Sequence, residues 1–146
     1  MAVKIGKLAK INLNLDGLGE HTVSRIGNYT LSGITVDPVE YTAFGDTSKA
    51  YTPGMVDPGT IEISGYYDPD DAEGQDALQT ACENGTELTV GMIKFFVDDS
   101  TYFTPKSGGC IIITKSNAVA MDKAGVGTVS FSGKVSGAVL EQCTLL

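Results

Sequence analysis

Apolar and polar residues alternate with period two in several short runs of this chain, and those runs predict strands. The first is Lys10-Ile11-Asn12-Leu13-Asn14-Leu15, whose successive side chains are bound for opposite faces. Asp16-Gly17-Leu18-Gly19 follows as a turn. Residues 28–36 read as a second strand stopped by Asp37-Pro38. Residues 39–44 extend it as an edge segment, where proline is tolerated. Residues 60–67, Thr60-Ile61-Glu62-Ile63-Ser64-Gly65-Tyr66-Tyr67, alternate clearly. Residues 86–97 and 100–104 read as a hairpin across Asp98-Asp99-Ser100. Ile111-Ile112-Ile113-Thr114 is an unbroken apolar run, which predicts burial on both faces. Residues 118–127 read as a loop. In the last strong run, residues 128–135, Val129, Phe131 and Val135 point one way and Thr128, Ser130, Ser132 and Lys134 the other.

Two segments depart from this rhythm. A helix is signalled over about residues 69–83: Asp68 is a good N-cap, Pro69 suits the first helical position, and Asp70, Asp71 and Glu73 favour the positive end of the dipole. Its apolar stripe, Leu78, Ala81 and Cys82, is narrow, and Asn84-Gly85 ends it. Residues 45–59 are rich in turn formers and too long for a plain connection, and such loops are usually functional or disordered. With Phe44 at their edge and Tyr51, Met55 and Val56 inside, they carry apolar groups that water alone would not favour. The predicted architecture is mainly β (α+β): one domain over residues 1–146, a β-sandwich or partly closed barrel with one flanking helix.

The composition narrows the function. The 146 residues can bury a core without disulfide or metal staples. Charged residues make up only 19%, below the usual ~25%, which suits a surface that is covered by association. The net charge is −8. Between residues 37 and 87 the acids outnumber the single base, Lys49, by twelve to one. This disfavours adhesive binding to nucleic acid or anionic lipid, which needs clustered Lys and Arg. Lys4, Lys7 and Lys10 form a basic N-terminal arm, residues 1–10. It is a candidate to dock on the acidic region of a neighbouring subunit, the alternative being a solvated terminus. No apolar run follows these lysines and none is long enough to span a bilayer, so neither a leader nor a membrane partner is expected. Cys82, Cys110 and Cys143 are odd in number and widely spaced, as free thiols in a reducing compartment are.

Site chemistry is sparse. His21 stands alone in a turn-rich stretch without zinc-ligand spacing. Asp68-Pro69-Asp70-Asp71-Ala72-Glu73 fails as a calcium loop at Ala72, Glu73 and Gln79. Gly125-Val126-Gly127 leads into a strand and not a helix, so it offers no phosphate cradle. The expectation is a non-enzymatic protein with no catalytic residues, cofactor or metal.

Two longer segments add a family likeness. Residues 58–71, Pro58-Gly59-Thr60-Ile61-Glu62-Ile63-Ser64-Gly65-Tyr66-Tyr67-Asp68-Pro69-Asp70-Asp71, continue to Gly74-Gln75-Asp76-Ala77-Leu78. The other is residues 121–137, with Met121-Asp122-Lys123-Ala124-Gly125-Val126-Gly127 before the strand and Val135-Ser136-Gly137 at its end. Both resemble tail tube (major tail) proteins of long-tailed bacteriophages. The resemblance implies a homo-oligomer: hexameric rings joined edge to edge and stacked into the conduit for DNA ejection. It also implies contacts with tape measure, tail tip and terminator proteins, assembly in the host cytoplasm and a place in the virion tail. In that family a long loop between early strands contacts the adjacent ring, which makes Phe44, Tyr51, Met55 and Val56 inter-ring candidates. Thr60, Glu62 and Ser64, or Thr128, Ser130, Ser132 and Lys134, are the candidates for a lumen wall that passes DNA without gripping it. The alternative for both sets is a plain solvent-facing strand. The rival readings are a carbohydrate- or host-binding β-sandwich module (an adhesin or capsid decoration domain) and a type VI secretion-like tube protein.

Overall fold

The structure, a computed structural model, describes residues 9–15, 19–121 and 123–145. In chain order it contains β1 (Lys10–Leu13), β2 (His21–Thr22), β3 (Ile26–Ser32), β4 (Thr35–Glu40), β5 (Tyr51–Asp57), β6 (Thr60–Tyr66), α1 (Gln75–Asn84), β7 (Glu87–Leu88), β8 (Ile93–Phe96), β9 (Thr101–Pro105), β10 (Cys110–Ala120), β11 (Thr128–Ser136) and β12 (Leu140–Thr144). Two five-stranded sheets carry the fold, ordered β12-β9-β8-β1-β2 and β3-β6-β11-β10-β7. All their pairings are antiparallel. Among the described residues each sheet keeps two edges, which makes an open sandwich and not a closed barrel. No helix among the described residues is long and apolar enough to cross a membrane.

Alternation sets the core. Ile61 and Ile63 of β6, Val129, Phe131 and Val135 of β11, and Ile111 and Ile113 of β10 share one buried cluster with Ile11, Leu13, Ile93 and Phe95 of the opposite sheet. Each such side chain stabilises the fold by about 1.5–3 kcal/mol. Tyr29 of β3 ties the layers together. Its ring lies 5.3 Å from that of Phe95, its hydroxyl donates to the Phe96 carbonyl at 2.6 Å, and burial raises its pKa. Leu78 and Ala81 of α1 are buried in the same cluster, where the helix packs on β10.

Several sequence expectations are corrected. The helix begins at Gln75, not near residue 69, because the acids before it serve a different contact. Asp68 accepts a hydrogen bond from the Ser24 hydroxyl at 2.6 Å, and Asp71 accepts from the Ser24 and Gln75 amides at 2.8 and 3.0 Å. Gln75, only 4% exposed, donates to the carbonyls of Ser24 and Tyr66 and accepts from the Asp68 amide. These residues clamp the β2–β3 turn to the helix start. The helix end is as expected: Gly85 donates to the Cys82 carbonyl and Thr86 to that of Ala81, the Schellman pattern.

The strand predicted over residues 28–36 breaks after Ser32, and Pro38 lies inside β4 at a register shift. Pro38 is accommodated because β4 pairs on one side only. Residues 110–120 form one long strand, in which Ile111 and Ile113 are buried while Ile112 is half-buried, so the apolar run does not lie between two layers. His21 is not a bare loop residue: it sits in β2 with Nδ1 2.8 Å from a Glu73 carboxylate oxygen.

Candidate assembly surfaces

The outward face of the β11-centred sheet follows from the same alternation. Pairing sets Ser64 opposite Ser130, Glu62 opposite Ser132 and Thr60 opposite Lys134. On the other side of β6, Asn28, Thr30 and Ser32 stand opposite Ser64, Glu62 and Thr60. The two alternative sets of wall residues are therefore neighbours on one surface, and Thr128 closes it at the far end of β11. Beyond β11, Lys115 and Asn117 of β10 stand opposite Ser132 and Ser130, with the Asn117 amide donating to the Ser130 hydroxyl at 2.9 Å. This is a hydroxyl- and amide-rich surface of low charge. Lys134 is engaged by Asp57 at 2.7 Å, and that contact with the Gly59 amide lowers the Asp57 pKa. Asn28, Thr30, Ser32, Lys115 and Asn117 went unassigned in the sequence, although Asn28-Tyr29-Thr30-Leu31-Ser32 carries the alternation that places the first three.

Two free edges flank this surface. β3 pairs on one side only among the described residues. β7 lies beside only Ile111 and Ile112 of β10, so residues 114–120 have no strand alongside on that edge among the described residues. A free edge offers unpaired N–H and C=O groups to another chain.

The segment read as a loop over residues 45–59 is instead half of a two-stranded arm. β4 and β5 pair through Thr35 with Asp57, Val36 with Val56 and Glu40 with Tyr51. Turn formers such as Pro53 and Gly54 are tolerated because each strand is an edge. The tip is an ordered turn: the Asp46 amide donates to the Ala43 carbonyl at 3.2 Å and its carboxylate accepts from the Ala43 amide at 2.6 Å. Gly45 has φ of 90°, as the third residue of a type II turn requires, which leaves Phe44 projecting with a relative exposure of 109%. Met55 is 92% exposed, and Tyr51, Val56, Val36, Val39, Tyr41 and Ile34 are all exposed as well. The structure thus places the four inter-ring candidates together on one unpartnered element.

Of the three N-terminal lysines only Lys10 is among the described residues. Lys4 and Lys7 lie outside the described residues. Lys10 opens β1, with its Nζ 4.8 Å from the centre of the Phe96 ring of its own sheet, so it belongs to the sandwich and not to an arm.

No protein-family model matches the sequence, and a search of curated proteins finds no match. The fold, by contrast, is shared with solved structures. A chain from the tail of an empty gene transfer agent particle, determined with C6 symmetry, superposes with a TM-score of 0.69 at 17% identity, covering 95% of this chain and 98% of that one. The SPP1 tail tube gives 0.64 at 18% identity, covering 99% and 81%. A chain of the sheath–tube complex of an extracellular contractile injection system gives 0.64 at 9% identity, covering 98% and 93%. The chain has the tail-tube fold, and the resemblance seen in the sequence holds at that level.

Proposed function

We propose that this chain is a non-enzymatic structural subunit that assembles into rings, six copies to a ring, and that the rings stack into a phage tail tube through which DNA leaves the virion. The carrying observation is the polar outward face of the β11-centred sheet lying between two free strand edges. Pairing β3 of one copy with residues 114–120 of the next continues the sheet around a ring and removes both edges. The tail-tube fold and the sixfold symmetry of a similar tail support the same arrangement. The exposed arm is the element that reaches the adjacent ring. Copies assemble in the host cytoplasm and reside in the virion tail with the other tail proteins.

The wall chemistry suits a conduit. Glu62 and Asp57 balance Lys115 and Lys134 on the outward face, so little free positive charge is available to hold phosphates.

Electron microscopy of concentrated protein, with or without a tail-tip nucleus, should show rings and tubes. Hydrogen exchange should show the edge-facing amides of β3 and residues 114–120, those not bonded to β6 or β11, protected in tubes but not in free subunits. A strict monomer under all conditions, or tubes in which both edges still exchange freely, overturns the proposal. Duplex DNA should show no salt-dependent retention by assembled tubes. Tight binding that weakens steeply with salt would rule out the conduit reading.

A further inference from the structure

If sheets join edge to edge around a ring, their strands run along the tube and the two strand ends face the neighbouring rings. The two ends of this sheet differ. At one end, Ser32 leads into the arm and Thr60 returns from it. At the opposite end lie Tyr66, Thr128 and Ala120, where β6, β11 and β10 meet.

That opposite end carries its own bare apolar patch. Tyr66, Tyr67, Val119, Met121 and Val126 are all exposed, Met121 at 73%. Two of them, Met121 and Tyr67, meet at one close approach: a Cβ on Gly127 would lie 2.5 Å from the Met121 sulfur and 3.5 Å from the Tyr67 Cβ. The Tyr67 amide donates to the Gly127 carbonyl at 3.0 Å, which fixes the loop there. Tyr67 and Val119 also line a cavity of about 180 Å³ with Val129 and Phe131, whose other side is polar, with Asp68, Gln75, Asp76 and Gln79.

We infer that this patch is the docking surface for the root half of the arm, centred on Met55, from a copy in the adjacent ring. The inference rests on the tube reading and names the partner surface for the arm. A ring rim carrying arms meets the other rim of the next ring, so the first part of each arm to reach that rim is its root. Both partners are apolar and exposed in the single subunit, and they lie at opposite ends of one sheet. Such a contact is heterologous: it leaves a fresh arm at one end and a fresh patch at the other, so it propagates instead of closing. Met55 and Met121 suit this role, because unbranched thioethers adapt to a facing surface and contact rings such as Tyr67 favourably. Two-ended apolar exposure of this kind marks an interaction surface.

The test uses full-length protein with Met55→Lys, Met121→Glu and the double variant. Each single variant buries an unpaired charge at the contact and should cut the fraction of protein in tubes by more than about tenfold. Single rings should persist, because edge pairing is untouched, and circular dichroism should be unchanged. In the double variant the lysine and glutamate face each other, and tubes should return. A photo-crosslinking residue at position 55 of wild-type-like tubes should mark Tyr67, Val119 or Met121 of another copy. If wild type forms tubes and both single variants do so equally well, or if the crosslink maps elsewhere, the docking surface is wrong while the tube stands. If wild type forms neither rings nor tubes, the tube reading fails first.

Discussion

The β11-centred sheet and the β4–β5 arm contain the same kinds of residue in opposite states. In the sheet, Ile61, Ile63, Val129 and Phe131 are buried, and Thr60, Glu62, Ser130 and Ser132 look outward. In the arm, Val36, Val39, Tyr51, Met55 and Val56 are all exposed. Period two lets a strand place its apolar residues on one face, but only a second layer turns that face into a core. The sheet has such a layer in the β8-centred sheet and α1. Among the described residues no third strand pairs with the arm, and apart from the Asp57–Lys134 contact at its root nothing covers it, so its apolar groups await a surface from outside the subunit.

The strongest break of this contrast is truncation. Phe131→Ala should destabilise the free subunit by about 3–5 kcal/mol, through lost burial and a residual cavity. Met55→Ala should stay within about 0.5 kcal/mol, as surface substitutions do. Urea unfolding of both variants measures the difference. A large loss for Met55→Ala would mean that the arm is part of the subunit core.

The clamp at the helix start comes next. Gln75→Ala strands the carbonyls of Ser24 and Tyr66 and the amide of Asp68, at a cost of about 1–3 kcal/mol if water does not replace it. The same unfolding measurement should show this loss, with the arm's solvent exposure unaffected.

Removing the arm altogether sharpens the comparison further. Replacing residues 36–56 with a short Gly-Ser turn should shift the unfolding midpoint of the subunit little, yet abolish stacking beyond single rings. Sedimentation and microscopy report the second effect, and normal long tubes from this variant would reduce the arm to a surface appendage. Ordering a segment costs roughly 1–2 kcal/mol per residue in backbone entropy. The hairpin has already met part of that cost before docking, since its tip turn is hydrogen-bonded in the single subunit.

Acidification should have the smallest effect. Ion pairing and hydrogen bonding with Lys94 lower the Glu20 pKa; Lys134 does the same at Asp57, and the Ser24 hydroxyl at Asp68. A carboxylate with a lowered folded pKa contributes stability above its unfolded value, about 3.9–4.3. That contribution is lost as pH falls through the folded value. Unfolding midpoints should therefore be flat from pH 7 to about 5 and decline below about pH 4. All three groups are at least partly exposed, so the decline should be shallow and further weakened by salt.

Much of the fold could be read in the chain, for a local reason. Alternation is a property of successive residues, so the inward set Val129, Phe131 and Val135 and the outward set Thr128, Ser130, Ser132 and Lys134 were both readable before any partner was known. Asn84-Gly85 likewise marked the helix end, because its hydrogen bonds are local. The helix start was misplaced because Asp68 and Asp71 look like capping acids, yet they bind Ser24 more than forty residues away.

Contacts between distant segments decided the rest. Nothing local says that Ser64 and Ser130 stand side by side, that β7 is too short to cover β10, or that Tyr67 and Met121 meet at Gly127. Nor does turn-rich composition say whether residues 45–59 wander or pair, since pairing depends on β4 as much as on β5. The sequence by itself determined which side chains each strand presents to either face, because that depends on backbone geometry alone. Which faces and edges found partners was decided only by the tertiary structure, because burial and strand pairing require a second surface brought close by the whole chain.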